Sequence, residues 1–407
     1  MSTLAQCRTG TLFSRAMGAL VALVAFLFGI SGPIVAADPG VTDNEVAIGA
    51  FGPLTGPSAW IGLSARDGLQ LAANEINANG GVNGRKIRLI FEGATTPAES
   101  IAAAKKLIEQ EKVFALVIGA GSTGAAAAAD YLREAGVPAY NIVGATPKIR
   151  EPFARNIFHG VFPDARKLAE FFAKEVARSE PKSVGILTGS YELPQAVLAG
   201  LQPRLAGRGI SVLTLQTFDS GTRDFTAQLL AVKQANPDAI VFIGNSTEAG
   251  LAIKQAPELG LTNKPWVVDV SAITRALPQI AGAAAEGVRG VWLFPYFHDE
   301  DAPPMVEFDR KWRAAYGTPA AGRPSYIDMV GYGDMYVLAL AIREAGKDLT
   351  RARLISTWEN AKALKPSNMG PFASDVIFPE SFSPDNRDGN TAHSTVQIKN
   401  GRWQVLR

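Results

Sequence analysis

The chain has 407 residues, 47% of them hydrophobic and 19% charged, a composition that fits a folded globular protein and excludes a disordered one. That length accommodates two domains of ordinary size. With 40 basic against 38 acidic residues, the charge balance gives no support to nucleic-acid or anionic-membrane binding.

The first segment in chain order is an address. Arg8 and Arg15 precede an apolar stretch at 17–30, MGALVALVAFLFGI, and Val35, Ala36 and Ala37 follow as small residues. This predicts a secretory signal peptide over 1–37, cut after Ala37 or Ala36. The apolar stretch is shorter than the roughly 20 residues that span a bilayer. Arg8 and Arg15 are the only charges in it, so its removal brings the basic residues level with the 38 acids. Cys7, the only cysteine, lies inside the signal, so the mature chain forms no disulfide and its core must hold without one.

The next stretch reads strand, loop, helix, strand. Residues 46–50 are an apolar strand that stops in a loop containing Gly52, Pro53, Gly56 and Pro57. Leu69, Ala72, Ala73 and Ile76 then fall on one face of a helix starting near 63. Gly80 and Gly81 end it, and Asn83-Gly84 turns the chain into a strand at 86–91. Thr96-Pro97-Ala98-Glu99 forms a capping box ahead of another helix. A buried strand at 113–119, a helix at 122–134 and a strand at 138–143 follow. The alternation resumes beyond Pro163. A helix begins near Asp164, and strands at 183–188, 210–217, 239–244 and 266–270 enclose helices at 194–206, 224–234 and 247–259. Later come a strand at 288–293, helices at 304–316, 325–345 and 350–362, and strands within 372–406 around a turn-rich stretch at 381–390. Alternation of this kind predicts an α/β protein with mostly parallel sheets flanked by helices. The loop after the first strand lies where open α/β sheets collect ligands.

Two segments carry a specific resemblance: GPLTGPSAWIG at 52–62 and LAANEINANGGVNGRKI at 71–87. They resemble the opening of the periplasmic leucine/isoleucine/valine-binding protein family, the soluble receptors of ABC importers, and the resemblance extends over essentially the whole mature chain. One departure is Glu92-Gly93, where that family usually has an acidic pair. The resemblance implies a two-lobed type I periplasmic-binding-protein fold crossed three times by the chain. Lobe one would comprise 44–163 plus 294–368, and lobe two 164–293 plus 369–407. It further implies a periplasmic monomer without cofactor that closes on a small amphipathic carboxylate and delivers it to an ABC permease. A ligand-sensing receptor or regulator sharing the fold is the alternative.

Gly119-Ala120-Gly121-Ser122-Thr123-Gly124 matches the dinucleotide fingerprint literally. It follows the third strand, however, and Tyr140 and Asn141 stand where an acid would hold a ribose. A helix N-terminus bearing Ser122 and Thr123 is better suited to a carboxylate, or to simple capping. The resemblance implies that this loop holds the ligand's carboxylate together with Ala145 and Thr146. In lobe two it implies a tyrosine near Tyr191 and, after the strand ending near 244, a position where this chain departs from the family's frequent aromatic with Ser246-Thr247; each could equally be an N-cap or a surface-loop residue. Asp269 stands one residue before Val270, the position of the family's acid in the preferred register. Either Asp269 pairs with a ligand ammonium or the ligand has none, because an unpaired ammonium in a dry cleft costs several kcal/mol. Trp60, Tyr326 and Tyr332 are candidate walls, with core packing the plainer alternative. His159, His298 and His393 are dispersed and show no metal-ligand spacing. No nucleophile–base arrangement stands out, so the expectation is a binding protein and not an enzyme.

Overall fold

The computed structural model describes residues 38–56, 58–297, 301–317, 324–390 and 392–406. The expected signal peptide, Cys7 and His298 lie outside them. The first sheet has five strands: β1 (Glu45–Gly52), β2 (Lys86–Gly93), β3 (Ala115–Ile118), β4 (Ala139–Asn141) and β5 (Ile157–His159). Their order is β2-β1-β3-β4-β5, and every pair is parallel. Helices α1 (Ala59–Ala78), α2 (Pro97–Lys105) and α3 (Gly121–Ala135) connect them. The Thr96 hydroxyl accepts the Glu99 N–H at 3.2 Å and the Glu99 carboxylate accepts the Thr96 N–H at 2.9 Å, so α2 begins at the expected capping box. Strand β5, only three residues long, has no periodicity to announce it.

Asp164 caps α4 (Ala165–Ala177), which leads into the second sheet. There β6 (Ser183–Gly189), α5 (Glu192–Ala206), β7 (Ser211–Phe218), α6 (Thr226–Ala235), β8 (Ala239–Ile243), α7 (Ser246–Gln255), β9 (Trp266–Val268), α8 (Ala276–Ala281) and β10 (Arg289–Trp292) alternate. The chain then returns to the first sheet through α9 (Pro303–Tyr316), α10 (Tyr326–Ala345) and α11 (Arg351–Trp358). It closes with β11 (Ser394–Lys399) and β12 (Arg402–Leu406), an antiparallel hairpin on the edge of the second sheet. That sheet runs β12-β11-β10-β9-β8-β6-β7, parallel from β10 to β7.

The boundary drawn at 368/369 moves. Leu364 and Glu380 exchange backbone hydrogen bonds at 2.8 Å, Phe382 packs edge-on against Phe158 and Trp358, and Asp388 bridges β5 at His159. Residues 369–390 therefore stay with the first sheet, because Glu380 and Phe382 are buried there. The return to the second sheet comes at Asn390. Its side-chain amide, fully buried, donates to Val161 O on the first crossing (3.1 Å) and to Leu293 O at the second (3.3 Å). One side chain thus joins all three crossings.

Helices α1 and α10 cross with their backbones in contact. A Cβ on Gly68 would overlap the Asp328 carbonyl, and one on Gly331 would overlap that of Ala65. Tyr332, a candidate wall, is buried nearby, its hydroxyl donating to Glu75 Oε2 at 2.7 Å, so it belongs to the core. Gly331→Ala is expected to cost about 1–3 kcal/mol, since neither backbone can retreat, and a urea titration would measure it.

Beside the first crossing, Tyr140 of β4 donates to Glu380, and Asp334 of α10 faces both. Among the described residues Asp334 and Glu380 Oε1 receive no hydrogen bond, and Gly160 lacks the Cβ that would displace the Asp334 carboxyl. Burial and then the facing Glu380 push Asp334 well above the usual carboxylate range, and burial pushes Glu380 up to about 8. A pair holding a proton stabilises the fold fully below the ordinary value of 4.5 and loses that contribution as pH rises to about 8. The melting temperature of Glu380→Gln should fall less between pH 5 and 8 than that of the wild type.

Candidate ligand-binding cleft

In a parallel sheet every strand brings its C-terminal end to the same edge. In the first sheet β2 and β3 leave β1 on opposite sides, and in the second β7 and β8 flank β6 in the same way. A crevice opens at each such switch point, outside the strand ends. The candidate residues sit on the loops and first helical turns there: Trp60 after β1, Ser122 after β3, Ala145 and Thr146 after β4, Tyr191 after β6, Ser246 after β8 and Asp269 after β9.

Three of them form a first cluster. Ser122 Oγ accepts the Ala145 N–H at 3.1 Å, which keeps the serine hydrogen free to donate. Thr146 is fully buried at the start of a short helical turn, Pro147–Ile149. Its hydroxyl accepts the Lys148 N–H at 3.3 Å and donates to Glu192 Oε1 at 3.0 Å. Thr123 is exposed and stands outside this cluster. The glycine-rich stretch has a structural use of its own: Gly121 adopts φ 65° at the entrance of α3, and a Cβ on Gly124 would strike Ser100 and Ala120.

The second cluster centres on Asp269. Its carboxylate accepts the Gly244 N–H at 3.0 Å and the Ser271 N–H at 3.3 Å, tying the ends of β8 and β9 together. Among the described residues no lysine or arginine pairs with it. Burial pushes its pKa up to about 6, with the two backbone donors pulling the other way. Burial first, and then the Asp269 charge, raise the hydroxyls of Tyr191 and Tyr326, so both tyrosines lie close to this acid. Tyr191 folds back over Gly189, and its oxygen accepts the Asn245 N–H at 3.1 Å. Tyr326 opens α10 behind the cleft, ringed by Trp60, Phe162, Trp292 and Phe294 at centroid distances of 5.6–6.1 Å. Trp60 is 41% exposed, at the rim. Ser246 is half-buried in the first turn of α7, without a side-chain partner among the described residues.

The two edges meet. Thr146 and Lys148 reach Glu192 on α5, Arg166 pairs with Glu151 at 2.7 Å, and Arg275 donates to Pro324 O at 2.8 Å. Glu192 was missed in the sequence, where an acid opening a helix reads as a response to the helix dipole. Its position directly after Tyr191, on a switch-point loop, was the available signal.

A family model described as periplasmic binding protein matches residues 45–402. The chain belongs to the periplasmic binding protein family. Among its relatives is a leucine-, isoleucine-, valine-, threonine- and alanine-binding protein of Pseudomonas aeruginosa, 29% identical over 75% of this chain and 79% of that one. The fold also matches a branched-chain amino acid transporter substrate-binding protein of Streptococcus pneumoniae, solved with isoleucine. That match has a TM-score of 0.73 and 23% identity, and covers 89% of this chain and 99% of the other. An ABC-transporter solute-binding protein of Rhodopseudomonas palustris, solved with 3,4-dihydroxybenzoic acid, matches at TM-score 0.73 and 23% identity over 90% and 96% of the two chains. The expected type I fold of two mostly parallel sheets is therefore the fold of this periplasmic binding protein.

Asp269→Ala would leave two backbone donors of this binding protein without an acceptor. A loss of about 1–3 kcal/mol is expected for each that stays buried, and less in Asp269→Asn, which keeps one acceptor; chemical denaturation would measure both.

Proposed function

We propose that this chain is the extracytoplasmic substrate-binding protein of an ABC importer and that it captures an apolar amino acid. The observation that carries the ligand class is Asp269, a buried carboxylate with no cationic side chain among the described residues and two tyrosines beside it. A ligand ammonium would supply the missing charge, and the Ser122 and Thr146 hydroxyls across the cleft would take the ligand's carboxylate. Trp60 and Tyr326 would wall the apolar side chain, with Tyr191 and Ser246 contributing from the second lobe. In this reading residues 44–163 plus 294–390 move against 164–293 plus 392–406 about the three crossings. The inter-edge contacts are those of closure. Export by the segment 1–37 and action as a periplasmic monomer delivering ligand to a membrane permease complete it.

A second reading has its own support. Both Asp269 oxygens already accept backbone N–H groups, so the acid can serve as a loop clamp, and an aromatic or aliphatic acid without an ammonium would then bind. Binding adds RT ln(1 + [L]/Kd) to stability, about 2.7 kcal/mol at a hundredfold excess over Kd. Thermal unfolding with leucine, isoleucine, valine, benzoate and 3,4-dihydroxybenzoate therefore separates the readings, and a shift with none of them would sink both. If leucine binds, its affinity should hold above about pH 6 and fall up to tenfold per unit below it, as Asp269 takes up a proton. Asp269→Asn should flatten that profile. Thr146→Ala should weaken binding about tenfold without unfolding the protein.

A further inference from the structure

Glu192 is the first residue of α5, on the second-sheet side of the cleft, and its side chain is about one-third exposed. Its carboxylate accepts no N–H from its own helix. It reaches across the cleft instead, one oxygen taking the Thr146 hydroxyl hydrogen at 3.0 Å and the other lying 3.6 Å from Lys148 Nζ. Thr146 is oriented for this contact, because its oxygen is held by the Lys148 N–H and its single hydrogen points toward α5. A hydroxyl has one hydrogen to give. A ligand carboxylate seated on Thr146 needs that same hydrogen, and it would stand beside the Glu192 charge. Lys148 is two-thirds exposed, so solvent screens its compensation of that charge.

We propose that Glu192 is a specificity-determining residue of the cleft, an internal carboxylate that bridges the two lobes through Thr146 and that a ligand's carboxylate must displace. The inference rests on the reading of Thr146 as a ligand-carboxylate donor. Two consequences follow from the charge. Displacement opposes every carboxylate ligand. The opposition is stronger for a simple anion than for a zwitterion, whose ammonium offsets the second negative charge. Glu192 therefore favours amino acids over plain carboxylic acids, in the same direction as Asp269 but from the other end of the ligand.

The test uses the purified protein, with L-leucine and benzoate as probes in titration calorimetry and small-angle scattering without either. Glu192→Gln removes the charge and keeps the shape, and Glu192→Ala removes the bridge. Glu192→Gln is expected to bind the probes more tightly, about three- to tenfold, with the larger gain for benzoate. Glu192→Ala without ligand should have a larger radius of gyration than the wild type, as the lobes part. Equal or weaker binding of a probe that the wild type binds would overturn the displacement. An unchanged radius would overturn the bridge. If the wild type binds neither probe, the proposed function loses its support, and the scattering comparison still decides the bridge on its own.

Discussion

The amide of Asn390 holds together three chain crossings that are far apart in sequence. Val161 leaves the first sheet, Leu293 leaves the second, and Asn390 itself begins the final return, so two hydrogen bonds fix where the connections run side by side. The aromatic group around Tyr326 packs against the same place through Phe162, Trp292 and Phe294. With the crossings bundled there, each sheet turns the C-terminal ends of its parallel strands toward the other. A parallel strand can be followed only by a crossover, so loops from distant parts of the chain collect on one edge. The cleft follows from that rule applied twice.

The chemistry of the two edges differs. The first presents hydroxyls and a helix N-terminus at Ser122 and Thr146, which suit an anion. The second presents carboxylates, Asp269 held by backbone donors and Glu192 at the start of α5. A molecule with a negative group at one end and a positive group at the other complements both edges at once. The link between Thr146 and Glu192 is that complementarity satisfied within the protein. The acid pair Asp334 and Glu380 is of another kind: it lies beneath the first crossing among buried aromatic residues, where burial raises both carboxyls above the usual carboxylate range.

Local signals in the sequence were read well where a local cause produces them. The capping box at Thr96, the glycines after α1 and the apolar runs of β1, β3, β6 and β8 lie in the expected elements, because each is decided by neighbours a few residues away. Strand β5, which has no local signal, and the placement of 369–390 escape the sequence for the opposite reason. Ile157–His159 is a strand only because β4 and Asp388 lie beside it, and Glu380 and Phe382 are buried only because β5 and α11 are there to cover them. At the candidate site, the family resemblance singled out Ser122, Thr146 and Asp269 on loops that the structure sets beside strand ends, whereas Thr123, one residue along the same turn, is exposed.

By itself the sequence determined the alternation of strands and helices, the parallel sheets this implies, and a family resemblance dense enough in the first ninety residues to name a class of receptor. Those rest on periodicity, caps and turns, which act within about one element's length. Only the tertiary structure decided that Glu192 meets Thr146, that Asp269 is buried without a cationic side chain beside it among the described residues, and that Asn390 binds the crossings together. Each is a meeting of residues separated by tens to hundreds of positions, and whether a charge is buried, paired or displaced depends on the packing that brings them within a few ångströms.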